Sequence, residues 1–519
     1  MQLINKTEKF NKDVINAGLI FLFCISVFFQ SNIFLHWTSY ADQDFTLVYN
    51  ALLINSGFKP EYFDHPGYTQ ILFLSYIIDL LYFLNVLDFR DLSFLSGNDF
   101  SSLEINKLFY YLRISNLLIF FFITFFLKKL LDEFINNDHL NTFLAILFLY
   151  FCTTTVSLIK IRTEFISFLF FIMFFLYFNK FMSNKNFNYK YIFLSGIFLA
   201  LGIFAKMQII FLLPVVFFSI YFNSNYFEKP IELNKTIFNI FSFSYFFILF
   251  VVVYLFSDGV INKVGVSIFS TLLYLFILYI SKIKTKSFLA VSNIFITFIL
   301  GFALVNIIFI LIKPFHLFYY KVLINFPGWM SMFSISTGSH KIPFSKLSLI
   351  TASLLDNFGS YFYKIYLQET LLILFVVISM VLPIYFLVKK KLKEFFLLLL
   401  ISSYFTLICL IFSLRISENY FIYSTFILFF NIIFIFKYIN RYFYLKYVYI
   451  ITILMITYNF YSSYIAMKKY YVYYDSPYRI TSKYNKHCSM KNVVRDDVFM
   501  RVWHKKISKK ILLNLCDIK

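Results

Sequence analysis

Charge is what this chain has least of. Only 14% of its 519 residues are Asp, Glu, Lys or Arg, against about 25% in a typical soluble domain. That shortage, with 60% hydrophobic residues, excludes an ordinary soluble globular protein. Strict apolar–polar alternation is also missing, which argues against a closed β-barrel. Cysteine is sparse: Cys24, Cys152, Cys409, Cys488 and Cys516 show no metal-type spacing, so a zinc-type site is not indicated. Glycine and proline number only 12 and 9. A loop that gathers several of them around acids and a histidine therefore stands out. No internal repeat is visible.

What the chain does have is continuous apolar runs, near or above the roughly 18 residues that mark a membrane helix, recurring from end to end. The expected fold class is an all-α polytopic membrane protein. A net charge of +21 invites a nucleic-acid reading. The lysines instead lie in short clusters between apolar runs, which is the pattern of membrane topology. No nucleic-acid partner is expected. The abundance of Phe, Ile, Lys, Asn and Tyr fits an AT-rich coding sequence, so aromatic content alone carries no functional weight.

Basic clusters recur at Lys128-Lys129, Lys180 to Lys190, Lys229 to Lys235, Lys282 to Lys286, Lys389 to Lys393 and Lys437 to Lys446. If all face the cytoplasm with the N-terminus, an even number of crossings separates each neighbouring pair. This parity decides two segments. Ile71 to Leu87, which carries Asp79 and Asn85, becomes an interfacial helix against the outer leaflet. Tyr191 to Phe222 becomes two short helices broken near Lys206. The expected spans are 14–35 (an uncleaved signal-anchor), 108–127, 140–159, 163–180, 191–205, 207–222, 236–256, 264–281, 287–312, 369–388, 395–413, 420–436 and 444–464, about thirteen in all. A transmembrane domain then covers 1–465, with a first external loop at 36–107 and a long external loop at 313–368. Residues 466–519 form a small extracytoplasmic tail, where a Cys488–Cys516 disulfide is one option. The tail is basic, and its length is what lets it escape the charge rule.

The chemistry concentrates in the first external loop. Asp42 and Asp44 sit in Tyr40-Ala41-Asp42-Gln43-Asp44-Phe45, and Asp64 and His65 in Tyr62-Phe63-Asp64-His65-Pro66-Gly67-Tyr68. A carboxylate there can take a proton from an attacking hydroxyl or hold a divalent cation such as Mg²⁺ or Mn²⁺. The plain alternative is a hydrated loop with incidental acids. Further along, Arg162, Lys206 and Arg415 fall at expected outer helix ends. There they could bind a phosphate, Arg as a fork and Lys as a point charge, or simply extend toward water. Glu164 opens a span and needs a partner, the nearest in sequence being Arg162. His65 either caps a turn or contacts phosphate or sugar, and Asp64 orients it or fixes the loop. The long loop adds His316, Tyr319, Tyr320, Trp329, His340 and Lys341, whose aromatics suit sugar stacking or interface anchoring.

Asp42, Ala51, Gly57, Pro60 and Phe63-Asp64-His65-Pro66 resemble the first external loop of glycosyltransferases of the C fold, a group that includes protein O-mannosyltransferases and lipid A aminoarabinose transferases. Their loop reads Asp-Glu, a helix, a Gly about fifteen residues on, then His-Pro-Pro-Leu. Here Gln43 stands in place of Glu, Asp44 adds an acid, and Gly67 replaces the second Pro. Arg113, the Ile161-Arg162-Thr163-Glu164 segment, Gly202 to Lys206 and Arg415 to Tyr420 are similar to later motifs of the group. The likeness covers roughly the first 220 residues; beyond that it is one of topology.

The resemblance implies an inverting transferase of the bacterial inner membrane, with its active site facing outward. It would move a sugar from a polyprenyl-phosphate donor to an extracytoplasmic acceptor (glycolipid, polysaccharide or protein). Asp42 or Asp44 is the expected base; Asp64, His65, Arg162, Glu164, Lys206 and Arg415 are the expected substrate and phosphate ligands. The cofactor stays open between none and Mg²⁺ or Mn²⁺ held by Asp42 and Asp44. The rivals are a lipid or sugar transporter or flippase, and a non-catalytic scaffold on the same fold. Transporters place acids and helix breaks near the midplane, whereas the spans here are nearly free of acids.

Overall fold

The computed structural model describes residues 2–30, 43–58, 60, 67–91, 102–155, 161–183, 188–223, 285–313, 336–337, 340–341, 347–367, 370–413, 420–439, 450–454, 456–458 and 461. These residues are almost entirely helical. The helices are α1 (Gln2–Gln30), α2 (Gln43–Asn55), α3 (Tyr68–Phe83), α4 (Ser102–Leu131), α5 (Asp138–Thr155), α6 (Thr163–Ser183), α7 (Tyr189–Ala205), α8 (Leu213–Asn223), α9 (Thr285–Ile312), α10 (Leu347–Phe362), α11 (Thr370–Val388), α12 (Leu392–Ser413) and α13 (Phe421–Ile439). A 3₁₀ turn, Met207–Leu212, joins α7 to α8, and a π-helical turn, Tyr363–Leu367, follows α10. Ser336–Thr337 and His340–Lys341 pair as a minimal antiparallel bridge.

Lys107–Leu131, Thr163–Ser183 and Glu394–Ser413 are each long and apolar enough to cross a membrane. Leu355–Leu367 and Leu372–Val388 pass the same test as one pair bent by 111°. The other apolar helices are shorter. The expected spans at 236–256 and 264–281, the tail 466–519 and the Cys488–Cys516 pair lie outside the described residues.

Side-chain contacts give the direction of each helix. Lys129 meets Asp13 while Phe121 meets Phe21, so α1 and α4 are antiparallel. Phe120 meets Phe165 and Glu133 meets Lys180, so α4 and α6 run the same way. Phe170 against Phe198 and Tyr177 against Tyr191 make α6 and α7 antiparallel. Gly196 on Gly301 and Phe204 on Phe309 make α7 and α9 parallel. Phe211 on Phe412 and Phe218 on Tyr404 make α8 and α12 antiparallel. Phe168 with Phe426 and Phe175 with Phe430 set α13 parallel to α6.

Lys128-Lys129, Lys180, Lys190, Lys286, Lys389 to Lys391 and Lys437 therefore gather at one end of the bundle, as crossing parity expects. At that basic end Lys128, nearly fully buried, pairs with Asp132 at 2.9 Å and with Asp138, while Asn141 donates to Asp132 at 2.8 Å. Polar satisfaction of this kind is what lets a lysine sit inside an apolar bundle.

The break expected near Lys206 is present. The chain leaves α7 with Lys206 extended and re-enters helix through the 3₁₀ turn. Helix α3 is apolar but shorter than the three span candidates. Tyr68 packs on Phe309 at 5.0 Å, yet Ser75, two turns later, still touches Lys313 rather than a residue deeper in α9. Helix α3 thus meets the C-terminal end of α9, opposite the basic clusters. Its Tyr76, Leu80, Phe83 and Leu84 form one exposed apolar face.

Candidate functional site

The clearest polar assembly at the non-basic end is built by helix termini. Glu164 falls in the first turn of α6 and Lys206 directly follows α7. The helix dipole favours an acid at the first position and a base at the second. Because α6 and α7 are antiparallel, these two termini share one level. The Lys206 ammonium lies 3.3 Å from the Glu164 carboxylate, with side chains only 1% and 3% exposed. Arg162, also buried, adds a second positive charge acting on the same carboxylate. Thr163 donates a hydrogen bond to Glu164 at 3.3 Å.

Ser167, one turn below Glu164, closes the C-terminus of α7. Its hydroxyl donates to the carbonyls of Gly202 (3.0 Å) and Lys206 (3.2 Å), which also accept the backbone N–H groups of Lys206 (2.8 Å) and Ile209 (3.2 Å). A Cβ at Gly202 would make only an ordinary contact with the Ser167 carbonyl oxygen, at 3.4 Å.

An aromatic wall comes from α12 and α13. The Lys206 ammonium lies 5.7 Å from the centre of the Tyr420 ring, within cation–π range. Tyr420 in turn stacks on Phe412 at 5.0 Å and 4°. Tyr423 is fully buried beside Phe412, close enough to act electrostatically on Glu164.

Three of the expected residues are thus brought together: Arg162, Glu164 and Lys206. One detail differs from expectation. The direct partner of Glu164 is Lys206, 42 positions away, and not its sequence neighbour Arg162. Burial of Lys206 also displaces the plain alternative that it extends toward water. Asp44 is the second residue of α2, where only its backbone is described. Asp42, Asp64, His65 and Arg415 lie outside the described residues. The Mg²⁺ or Mn²⁺ option on Asp42 and Asp44 falls there too. Among the described residues no group of three or more His, Cys, Asp or Glu is placed to hold a metal ion.

Sequence reasoning missed Ser167, Phe412 and Tyr423. Two of them carry a helical signal: Ser167 follows Glu164 by three positions, and Tyr423 follows Tyr420 by three. That spacing puts each pair on one helix face.

Chemically, the assembly is a pair of cations at the end of the bundle where α3 lies, one held by a carboxylate and backed by an aromatic ring. Such a group can receive an anion, which would compete with Glu164 for Lys206. Comparison with known proteins adds nothing to this geometry: no family model, no curated protein and no solved structure matches the chain.

Proposed function

We propose that the chain is a membrane glycosyltransferase of the C fold, with about thirteen crossings. It would transfer a sugar from a polyprenyl-phosphate donor to an acceptor outside the cytoplasm, with inversion. The observation that carries this reading is the buried Arg162–Glu164–Lys206 assembly at the end opposite the lysine clusters. If those clusters face the cytoplasm, the assembly sits at outer headgroup depth. That is where a polyprenyl tail in lipid would leave its phosphate.

The reaction follows from that placement. Asp42 or Asp44 takes the proton of the acceptor hydroxyl. The oxygen attacks the anomeric carbon from the face opposite the phosphate, and the anomeric C–O bond breaks with its electron pair going to polyprenyl phosphate. Charge grows on the leaving phosphate, and fixed cations at that point lower the barrier. Arg162 and Lys206, with Arg415, supply them; Asp64 and His65 bind donor phosphate or sugar. Glu164 holds Lys206 in place until the phosphate arrives. Transport is the weaker reading, because Glu164 is the only buried carboxylate among the described residues, and it stands at a helix end. The bacterial inner membrane, with the site facing outward, is the setting this reading requires.

The test uses membranes containing the full chain and radiolabelled polyprenyl-phosphate sugars. Transfer to endogenous acceptor is expected, and the Asp42→Asn/Asp44→Asn double variant should abolish it, since general-base help is worth about 10²–10⁴ in rate. Undiminished transfer by a folded double variant would sink the mechanism.

A further inference from the structure

Helix α3 ends in a turn that sends the chain back along it. Asn85 takes φ +55°, with bonds from its N–H to Tyr82 O and from Val86 N–H to Leu81 O. This is the paired-bond termination that Gly or Asn favours. Leu87 and Phe89 then bury their side chains, while Asp88 and Arg90 stay exposed. The side-chain nitrogen of Asn55 donates to both the Ser75 carbonyl (3.3 Å) and the Arg90 carbonyl (2.9 Å). Arg90 is thereby returned to the level of Ser75 on α3.

Lys313 reaches the same level from the end of α9. Its ammonium donates to Asn55 Oδ1 (3.2 Å) and Ser75 Oγ (3.1 Å), 5.7 Å from the centre of the Tyr76 ring. An ammonium has three donors, so one is left after these two bonds. The Arg90 guanidinium lies 5.9 Å over the Tyr82 ring and 3.9 Å from Asp91. Asp79 acts electrostatically on both Tyr76 and Lys313, and Arg90 also acts on Lys313. Beside this group lies the exposed apolar face of α3, Tyr76, Leu80, Phe83 and Leu84, with Leu311 and Ile312 exposed at the end of α9. An apolar patch rimmed by charge marks an interaction surface.

The signs of the charges select the occupant. Arg90 and Lys313 face Asp79, Asp88 and Asp91, so a purely anionic headgroup would meet more carboxylates than cations. A zwitterion with phosphate next to ammonium satisfies both signs. A primary ammonium offers N–H donors to a carboxylate, which a trimethylammonium does not. We propose that Arg90, Lys313 and Asp79 bind a bilayer phospholipid with a phosphoethanolamine headgroup, its chains along the apolar face of α3. The phosphate meets Arg90 and Lys313, and the ammonium meets Asp79. The site needs this end of the bundle at headgroup depth, and it is independent of glycosyl transfer.

Native mass spectrometry of the full chain tests it, with the protein released from detergent micelles holding equimolar phosphatidylethanolamine, phosphatidylcholine and phosphatidylglycerol of matched chains. Phosphatidylethanolamine adducts should exceed each of the others by about fivefold, the worth of one charge contact at a membrane surface. Asp79→Asn should erase that preference over phosphatidylglycerol. Arg90→Gln should weaken adducts of all three lipids; its side chain is 59% exposed, so the variant is expected to fold. Equal adducts of the three lipids on the wild-type chain overturn the proposal, as does a preference for phosphatidylglycerol. An unaltered preference in folded Asp79→Asn overturns it too. A mass of two chains without lipid would assign the face to a second copy and overturn it as well. Should a variant fail to fold, the wild-type competition decides alone.

Discussion

Replacing Glu164 by Gln would leave the Lys206 ammonium, 1% exposed, without its counter-charge. Gln is close to Glu in volume, so packing changes little and the perturbation is electrostatic. Removing one member of a buried ion pair typically costs about 3–5 kcal/mol, because the remaining charge stays desolvated. The upper half of that range is expected here, since Arg162 places a second positive charge beside the same position. The Tyr420 ring offsets a small part, on the order of 1 kcal/mol. The decisive comparison is a double-mutant cycle with Lys206→Met. The double variant no longer buries the Lys206 charge without its counter-ion and should be more stable than Glu164→Gln alone. A favourable pair coupling of roughly 1–3 kcal/mol is expected. Thermal and denaturant unfolding in detergent micelles, followed by far-UV circular dichroism, would supply the numbers. The glycosyltransfer proposal adds a second readout: the double variant should fold yet transfer sugar poorly, having lost its phosphate cation. Glu164→Gln with the wild-type unfolding midpoint would refute the electrostatic reasoning, as would additive single effects.

Two further predictions concern the bundle. In Gly301→Ala the new Cβ would stand 1.6 Å from the Gly196 carbonyl oxygen, so α7 and α9 must separate; a loss of at least about 1–3 kcal/mol is expected. Gly359→Ala, with nothing within 4 Å of its Cβ, should instead be neutral or slightly stabilising in the same unfolding measurement. Glu133 lies in the turn after α4, where burial pushes its carboxyl above the ordinary range despite Lys180 at 3.8 Å. A raised native pKa means the folded state binds the proton more tightly. The contribution is then full below the unfolded pKa and lost as pH rises through the native one. Glu133→Gln should flatten the decline in stability across that acidic window, measured as unfolding midpoint against pH.

Much of the bundle was legible because a membrane reduces the problem to run length and lysine position. The break after Ala205 shows in the sequence as a lysine inside an otherwise continuous apolar run. Burying its charge within one unbroken span would be costly. Parity set α3 apart from the spans, and in the structure its Tyr68 and Ser75 both meet Lys313 at the end of α9. The partner of Glu164 was not legible. Sequence proximity favours Arg162, which acts on the same carboxylate from just before α6, while the direct ion pair goes to Lys206. What joins Glu164 to Lys206 is the antiparallel pairing of α6 with α7. Its local markers, Ser167 and Gly202, look like ordinary small residues until their helices are docked. Lys313 was invisible for a similar reason. Its acceptors, Asn55 and Ser75, lie well over 200 positions earlier.

One physical rule connects the pieces that were read correctly with those that were missed. In an apolar bundle a charge is tolerated where a helix ends, because the terminus supplies a dipole and bare backbone groups for it to meet. Glu164 at the start of α6, Lys206 after α7 and Lys313 after α9 all obey it. Glu164, Lys206 and Lys313 therefore mark helix boundaries first and chemistry second, unlike Arg113, which is buried within α4. A terminal charge becomes informative about function when its partner comes from a different helix, since pairing then fixes two termini at one level. Glu164 with Lys206 and Lys313 with Asn55 both meet that condition, at the same end of the bundle. The opposite end meets it too, through Lys129 with Asp13. Interhelical charge pairing by itself thus does not single out a site. What separates the two ends is the company they keep: lysine clusters and helix turns at one, and at the other the start of α3 bonded to the end of α9.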